Sequence, residues 1–190
     1  MSSTLIYQLA LFLHILGAFG LIATITLESV GLRGLRQAES GDAARASLRA
    51  MQFVPPLGGG SGALILVTGL YMMATSWGLR GWIVVGVAGL VLNALAGAIV
   101  TRSRMAIVGP AAGRATGLLT SEARALLRDP LLLASLRFRL GTVLGILFIM
   151  TVKPSAVASL AVVVFAGLLG LLTTQIPSWR AGRELRTQNG

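Results

Sequence analysis

The stretch LIYQLALFLHILGAFGLIATITLESVGL, residues 5–32, decides the fold. A helix needs about 20 mostly apolar residues to cross the hydrocarbon core of a bilayer, and this run exceeds that length. It carries the only histidine of the chain, His14, near its middle, and an acid, Glu28, further along. The preceding MSST offers no basic segment, and the apolar run outlasts the ~7–15 residues of a signal-peptide core, so it is read as a retained span.

Outward from this stretch, four more apolar runs follow at 57–77, 81–101, 130–152 and 156–176. The fourth is short between Arg139 and Lys153. Asp129-Pro130 has the form of an N-cap followed by proline at the first helical position. That helix is therefore expected to start below the membrane and to carry Arg137 and Arg139 up through the headgroups. Of the 190 residues, 55% are hydrophobic and 12% charged, with a mean hydropathy of +0.82. Soluble domains carry about 25% charged residues. The expected fold is all-α, a polytopic bundle of five spans forming a single membrane domain over residues 1–190.

The formal charge of +10 takes its meaning from where the basic residues lie. All 16 of them except Arg80 and Lys153 fall within 32–56, 102–139 and 177–190. Five spans put these segments on one side, so the positive-inside rule places the N-terminus out and the C-terminus in. Loops 33–56 and 102–129 and the tail 177–190 are then basic and cytoplasmic. Anionic lipid headgroups are their expected counter-charge, rather than nucleic acid. Tyr7, Trp77, Trp82 and Trp179 fall where aromatic belts are expected. Asp42–Phe53 and Ser121–Leu127 have spacings compatible with amphipathic helices lying along the headgroups, and compatible also with solvated connectors.

The absence of cysteine excludes disulfides, thiolate metal sites, iron–sulfur clusters and CxxC redox chemistry. Glycines recur at helix-packing intervals. Gly58 and Gly62, Gly141 and Gly145, and Gly89, Asn93 and Gly97 stand at four-residue steps that let backbones approach. A homo-oligomer or another membrane partner could use such faces. The hairpins VTGLYMMATSW/WIVVGVAGLVL and LGILFIMTVKPS/SLAVVVFAGLLGLL form a faint parallel repeat, equally explained by apolar composition.

Ionisable groups inside a membrane are costly, so each is a candidate site. At ~1.5 Å per residue, His14, Thr68 and Asn93 lie at similar depth near the midplane. His14 could hydrogen-bond to Thr68 or Asn93, relay a proton, or bind a metal or haem iron through one nitrogen. Lys153, the only lysine, could snorkel at a turn or face the bundle beside Met150, Met72 and Met73, which could be ligands or packing filler. Glu28 is expected in an interfacial ion pair with Arg102, Arg137 or Arg139. One histidine and no second buried carboxylate assemble no Ser/His/Asp, HExxH or paired-acid arrangement, and no reaction is assigned.

The histidine in LALFLHILGAFG, the basic amphipathic loop, the VTGLYMM…W…GW hairpin and the MTVKP segment together resemble an uncharacterised family of small bacterial integral membrane proteins. That family is similar to the CopD copper-resistance proteins and to the HemJ type of protoporphyrinogen oxidase. The resemblance implies a multi-pass protein of the bacterial cytoplasmic (inner) membrane. It also implies a b-type haem, with His14 as a ligand and Lys153 as a second participant. The leading expectation is a haem or related redox ligand in the outer half of the bundle. The alternatives are an accessory subunit packing by its glycine faces, and a copper or small-solute transport component.

Overall fold

The computed structural model describes residues 3–115 and 117–175. Among them every regular element is helical, eight α-helices in chain order: α1 (Ser3–Gln37), α2 (Gly41–Met51), α3 (Val54–Met72), α4 (Gly81–Leu95), α5 (Arg102–Arg114), α6 (Ser121–Leu127), α7 (Pro130–Val152) and α8 (Ala156–Leu172). Four continuous stretches, Thr4–Gln37, Gly41–Trp77, Gly81–Arg114 and Ser121–Val152, are long and apolar enough to cross a membrane, and α8 is a shorter apolar helix. This is the architecture of an integral membrane protein. The tail 177–190, with Trp179, lies outside the described residues.

The helix boundaries follow local chemistry. Ser40, Thr120, Asp129 and Ser155 cap α2, α6, α7 and α8 with their side chains, and Pro130 occupies the first turn of α7. Each cap satisfies a backbone N–H that the helix itself leaves unpaired. Lys153 ends α7 in the left-handed conformation, φ 53°, directly before Pro154. The segments 42–53 and 121–127, open in the sequence between helix and connector, are helical over Gly41–Met51 and Ser121–Leu127.

Two tightly packed pairs build the bundle. α1 lies along α3, and α7 along α8; α4 packs on both α7 and α8, while α3 and α4 barely meet. Glycines make the second pair close: a side chain at Gly141 would collide with the backbone of Ala166, and one at Gly145 would press on Val163 and Ala166. Such approach compensates for the hydrophobic driving force that lipid removes. The two hairpins of the faint repeat thus pack differently, α7 on α8 extensively and α3 on α4 hardly at all.

At the arginine-rich end the loops form a small cap on the bundle. Gly41 N–H donates to the Gly117 carbonyl at 2.9 Å and Leu119 N–H to the Glu39 carbonyl at 2.9 Å, tying the α1–α2 turn to the α5–α6 turn. Arg36 donates to the Arg128 and Asp129 carbonyls at 3.0 and 3.3 Å. Beneath them Leu35, Ala44, Val108, Ala112 and Leu127 are buried.

Candidate functional site

Where α3 and α4 part company, a cavity of about 560 Å³ opens near the hairpin end of the bundle. Faces of α1, α3, α4 and α7 line it, and they bring together His14, Met72, Met73, Met150 and Lys153. Its size falls within the ~300–1,000 Å³ of ordinary ligand sites, and its walls are mostly apolar, with Leu11, Ile15, Ile83 and Leu147 among them.

Aromatic side chains close the end of the cavity toward the hairpin. The indole N–H of Trp77 donates to the Tyr7 hydroxyl at 3.2 Å, and Trp77 and Trp82 stand edge to face with ring centroids 5.7 Å apart. Lys153 lays its ammonium over the Trp77 ring, 4.3 Å from the centroid. Offset aromatic pairs and cation–π contacts of this kind each contribute about 0.5–1.5 kcal/mol. Trp77 ends a π-helical turn, Met73–Trp77, and lines the cavity. Leu21, Leu90 and Val143, all buried, form the floor.

His14 is half-buried in the wall, and its Nδ1 lies 3.1 Å from the Thr68 hydroxyl. Thr68 also donates to the Leu64 carbonyl at 2.6 Å. A hydroxyl has one proton, and Thr68 gives it to Leu64, so toward His14 it can only accept. With the Thr68 proton on Leu64, the matching histidine tautomer carries its proton on Nδ1 and a lone pair on Nε2. Metal-binding histidines are oriented in this way, with one N–H held by a partner and the other nitrogen available. Gly69 supplies the room, because a side chain there would come within 3.1 Å of the imidazole. Among the described residues no three of His, Asp and Glu gather as a metal group.

Asn93, expected at the depth of His14, lies instead near Glu28, further toward the basic end, and does not reach His14. It belongs to a second polar cluster one turn below the cavity floor. Arg139 donates from Nε to Asn93 Oδ1 at 3.0 Å and from Nη1 to Glu28 Oε2 at 2.6 Å. Glu28 and Asn93 are each 2% exposed and Arg139 8%. This corrects the expectation of an interfacial pair and of Arg139 among the headgroups: the pair forms with Arg139, but inside the bundle. The reason is geometric. Arg139 stands nine residues beyond Pro130, about 14 Å along α7, already beside Glu28 of α1 and Asn93 of α4. Arg137, two residues earlier on another face, donates instead to Thr173 at 3.1 Å.

The sequence named Arg139 only as one of three partners for Glu28 and gave Trp77, Trp82 and Tyr7 no site role. A signal for Arg139 was present, since an acid in one apolar span and a base in another invite pairing.

Compared with models of protein families, with curated proteins and with solved structures, the chain has no match.

Proposed function

We propose that this membrane protein binds a b-type haem, or a related planar redox ligand, in the cavity near its hairpin end, with Nε2 of His14 as the ligand to iron. The observation that carries this reading is the chain Leu64 carbonyl, Thr68 hydroxyl, His14 Nδ1, which leaves Nε2 as an electron-pair donor in an apolar recess. The residues fit the group, because a haem iron takes only axial ligands from protein and a single histidine suffices for one of them. Met150, Met72 and Met73 are the thioethers, and Lys153 the amine, that line the same cavity. Bound haem would supply one-electron redox chemistry. The chain's own part is to orient the imidazole through Thr68, to exclude water with apolar walls, and to cover the opening with Trp77, Trp82 and Lys153. The cytoplasmic side is the arginine-rich end in this reading, anionic headgroups lie against its loops, and the setting is a bacterial inner membrane.

The test is the absorption spectrum of detergent-purified protein from haem-replete cells, oxidised and dithionite-reduced, beside His14→Ala. A b-type spectrum lost in the variant is the expected result. Spectra without a Soret band in either protein would overturn the reading.

One observation favours a second reading, an accessory subunit or homo-oligomer. Gly58 of α3 packs on Thr24, but Gly59, Gly60 and Gly62 have open space beside them, on a helix whose main neighbour is α1. Replacing Gly59 and Gly60 by leucine should dissociate a complex assembled through this face, read as a smaller native mass, and should leave any haem spectrum intact.

A further inference from the structure

Asn93 turns its amide in a direction that Arg139 dictates. Its Oδ1 accepts from Arg139 Nε, and exchanging the oxygen and nitrogen would set one N–H against another. Its Nδ2 is therefore fixed as a donor, and it finds no acceptor among the described residues although it is buried. A buried donor without a partner costs about 1–3 kcal/mol, and native interiors leave few of them. Arg139 has donors to spare as well, since its Nη2 makes no hydrogen bond among the described residues. Glu28 cancels the charge of Arg139, so the cluster has a surplus of donors without a surplus of charge.

The backbone around this point lets the guanidinium approach closely. Gly97 lies against the guanidinium, and a side chain there would stand 3.2–3.4 Å from its atoms. The helix changes to a π-helical turn over Ala96–Thr101, a distortion found often at functional sites. Leu90, part of the cavity floor, is one turn of α4 above Asn93, about 4.5 Å along the axis.

We propose that Asn93 and Arg139 form a second binding site, for a neutral hydrogen-bond-accepting oxygen: that of a water molecule, or the carbonyl of a membrane-dissolved molecule of the quinone class. An anion is disfavoured because Glu28 already neutralises Arg139, and a cation because donors surround the position. The site stands on Asn93 and Arg139 and does not depend on a haem at His14.

The chain contains Asn93 and Asn189 as its asparagines, which gives a direct readout. Full-length Asn189→Asp protein, with asparagine side chains labelled with nitrogen-15 and reconstituted in bilayers, shows one side-chain amide, that of Asn93. Solid-state NMR with magnetisation transfer from water then separates the outcomes. Downfield amide protons that receive magnetisation from water support the site with water as its occupant. Downfield protons that receive none, and that move upfield after the native lipids are exchanged for synthetic ones, support it with a lipid-borne carbonyl. Upfield protons that receive nothing from water and ignore lipid exchange would overturn the proposal, because Nδ2 would then donate to nothing.

Discussion

The two polar regions of the bundle solve the same problem in opposite ways. Near the hairpin end, His14 and Lys153 keep one foot outside the packed interior: the imidazole is half-buried, and the lysine is exposed apart from its contact with Trp77. Toward the basic end, Glu28, Asn93 and Arg139 are enclosed and joined across three helices. The first region has volume and few fixed contacts, whereas the second has fixed contacts and little volume. A π-helical turn lies beside each, Met73–Trp77 ending at the cavity and Ala96–Thr101 carrying Gly97 against Arg139. A ligand pocket and a rigid clamp thus divide the length of one bundle between them.

Substitutions should separate the two regions by size of effect. The largest is expected for Arg139→Leu, which leaves Glu28 as an uncompensated buried charge at a cost of about 3–5 kcal/mol. Thermal unfolding in detergent should show a sharply lowered midpoint or no folded protein. Glu28→Leu combined with Arg139→Leu should recover much of that loss, because an ion pair replaced as a whole by apolar side chains is often close to neutral. If the double variant is as unstable as the single one, the clamp is more than a charge pair.

Gly97→Leu comes next. Its side chain must push the guanidinium aside, and overpacking of this kind costs about 1–3 kcal/mol. A smaller effect belongs to Thr68→Val in the cavity wall, which leaves His14 Nδ1 without its acceptor and should cost about 1 kcal/mol. It should also broaden the imidazole nitrogen NMR signals as the proton exchanges between Nδ1 and Nε2, while Gly97→Leu should leave them unchanged. The smallest effect is expected for Lys153→Gly. Relief of a left-handed residue favours the variant, and loss of the contact on Trp77 opposes it by about 0.5–1 kcal/mol, so the unfolding midpoint should move little.

What could be read from the chain alone divides along the same line. The spans were legible because hydropathy and length are one-dimensional properties: the run 130–152 matches α7 residue for residue, and 81–101 matches α4 with its π-helical end. Depth was legible in part: Thr68 stands beside His14 as expected, whereas Asn93, expected at the same level, stands with Arg139 and Glu28. Rotation about the helix axis was not legible. The apolar residues of α3 and α7 favour no one side of the helix, so no stripe of hydrophobic residues says which face turns inward. Counting positive charges assigned Arg139 to a surface, because the count treats every arginine alike, and only the neighbouring helices distinguish it from Arg137. The aromatic residues at the cavity mouth were legible as an interfacial belt, and the π-helical turn that ends at Trp77 left no mark in the sequence.

The ion pair joins residues 111 positions apart, and this has a meaning for how the protein is made. At a synthesis rate of about 5–20 residues per second, Glu28 waits roughly 6 to 20 s for Arg139 to emerge. During that interval the first helix enters the membrane with an acid that has no counter-charge. A nascent chain cut short before α7 retains that defect permanently. The clamp can therefore close only in a chain translated and inserted beyond Arg139.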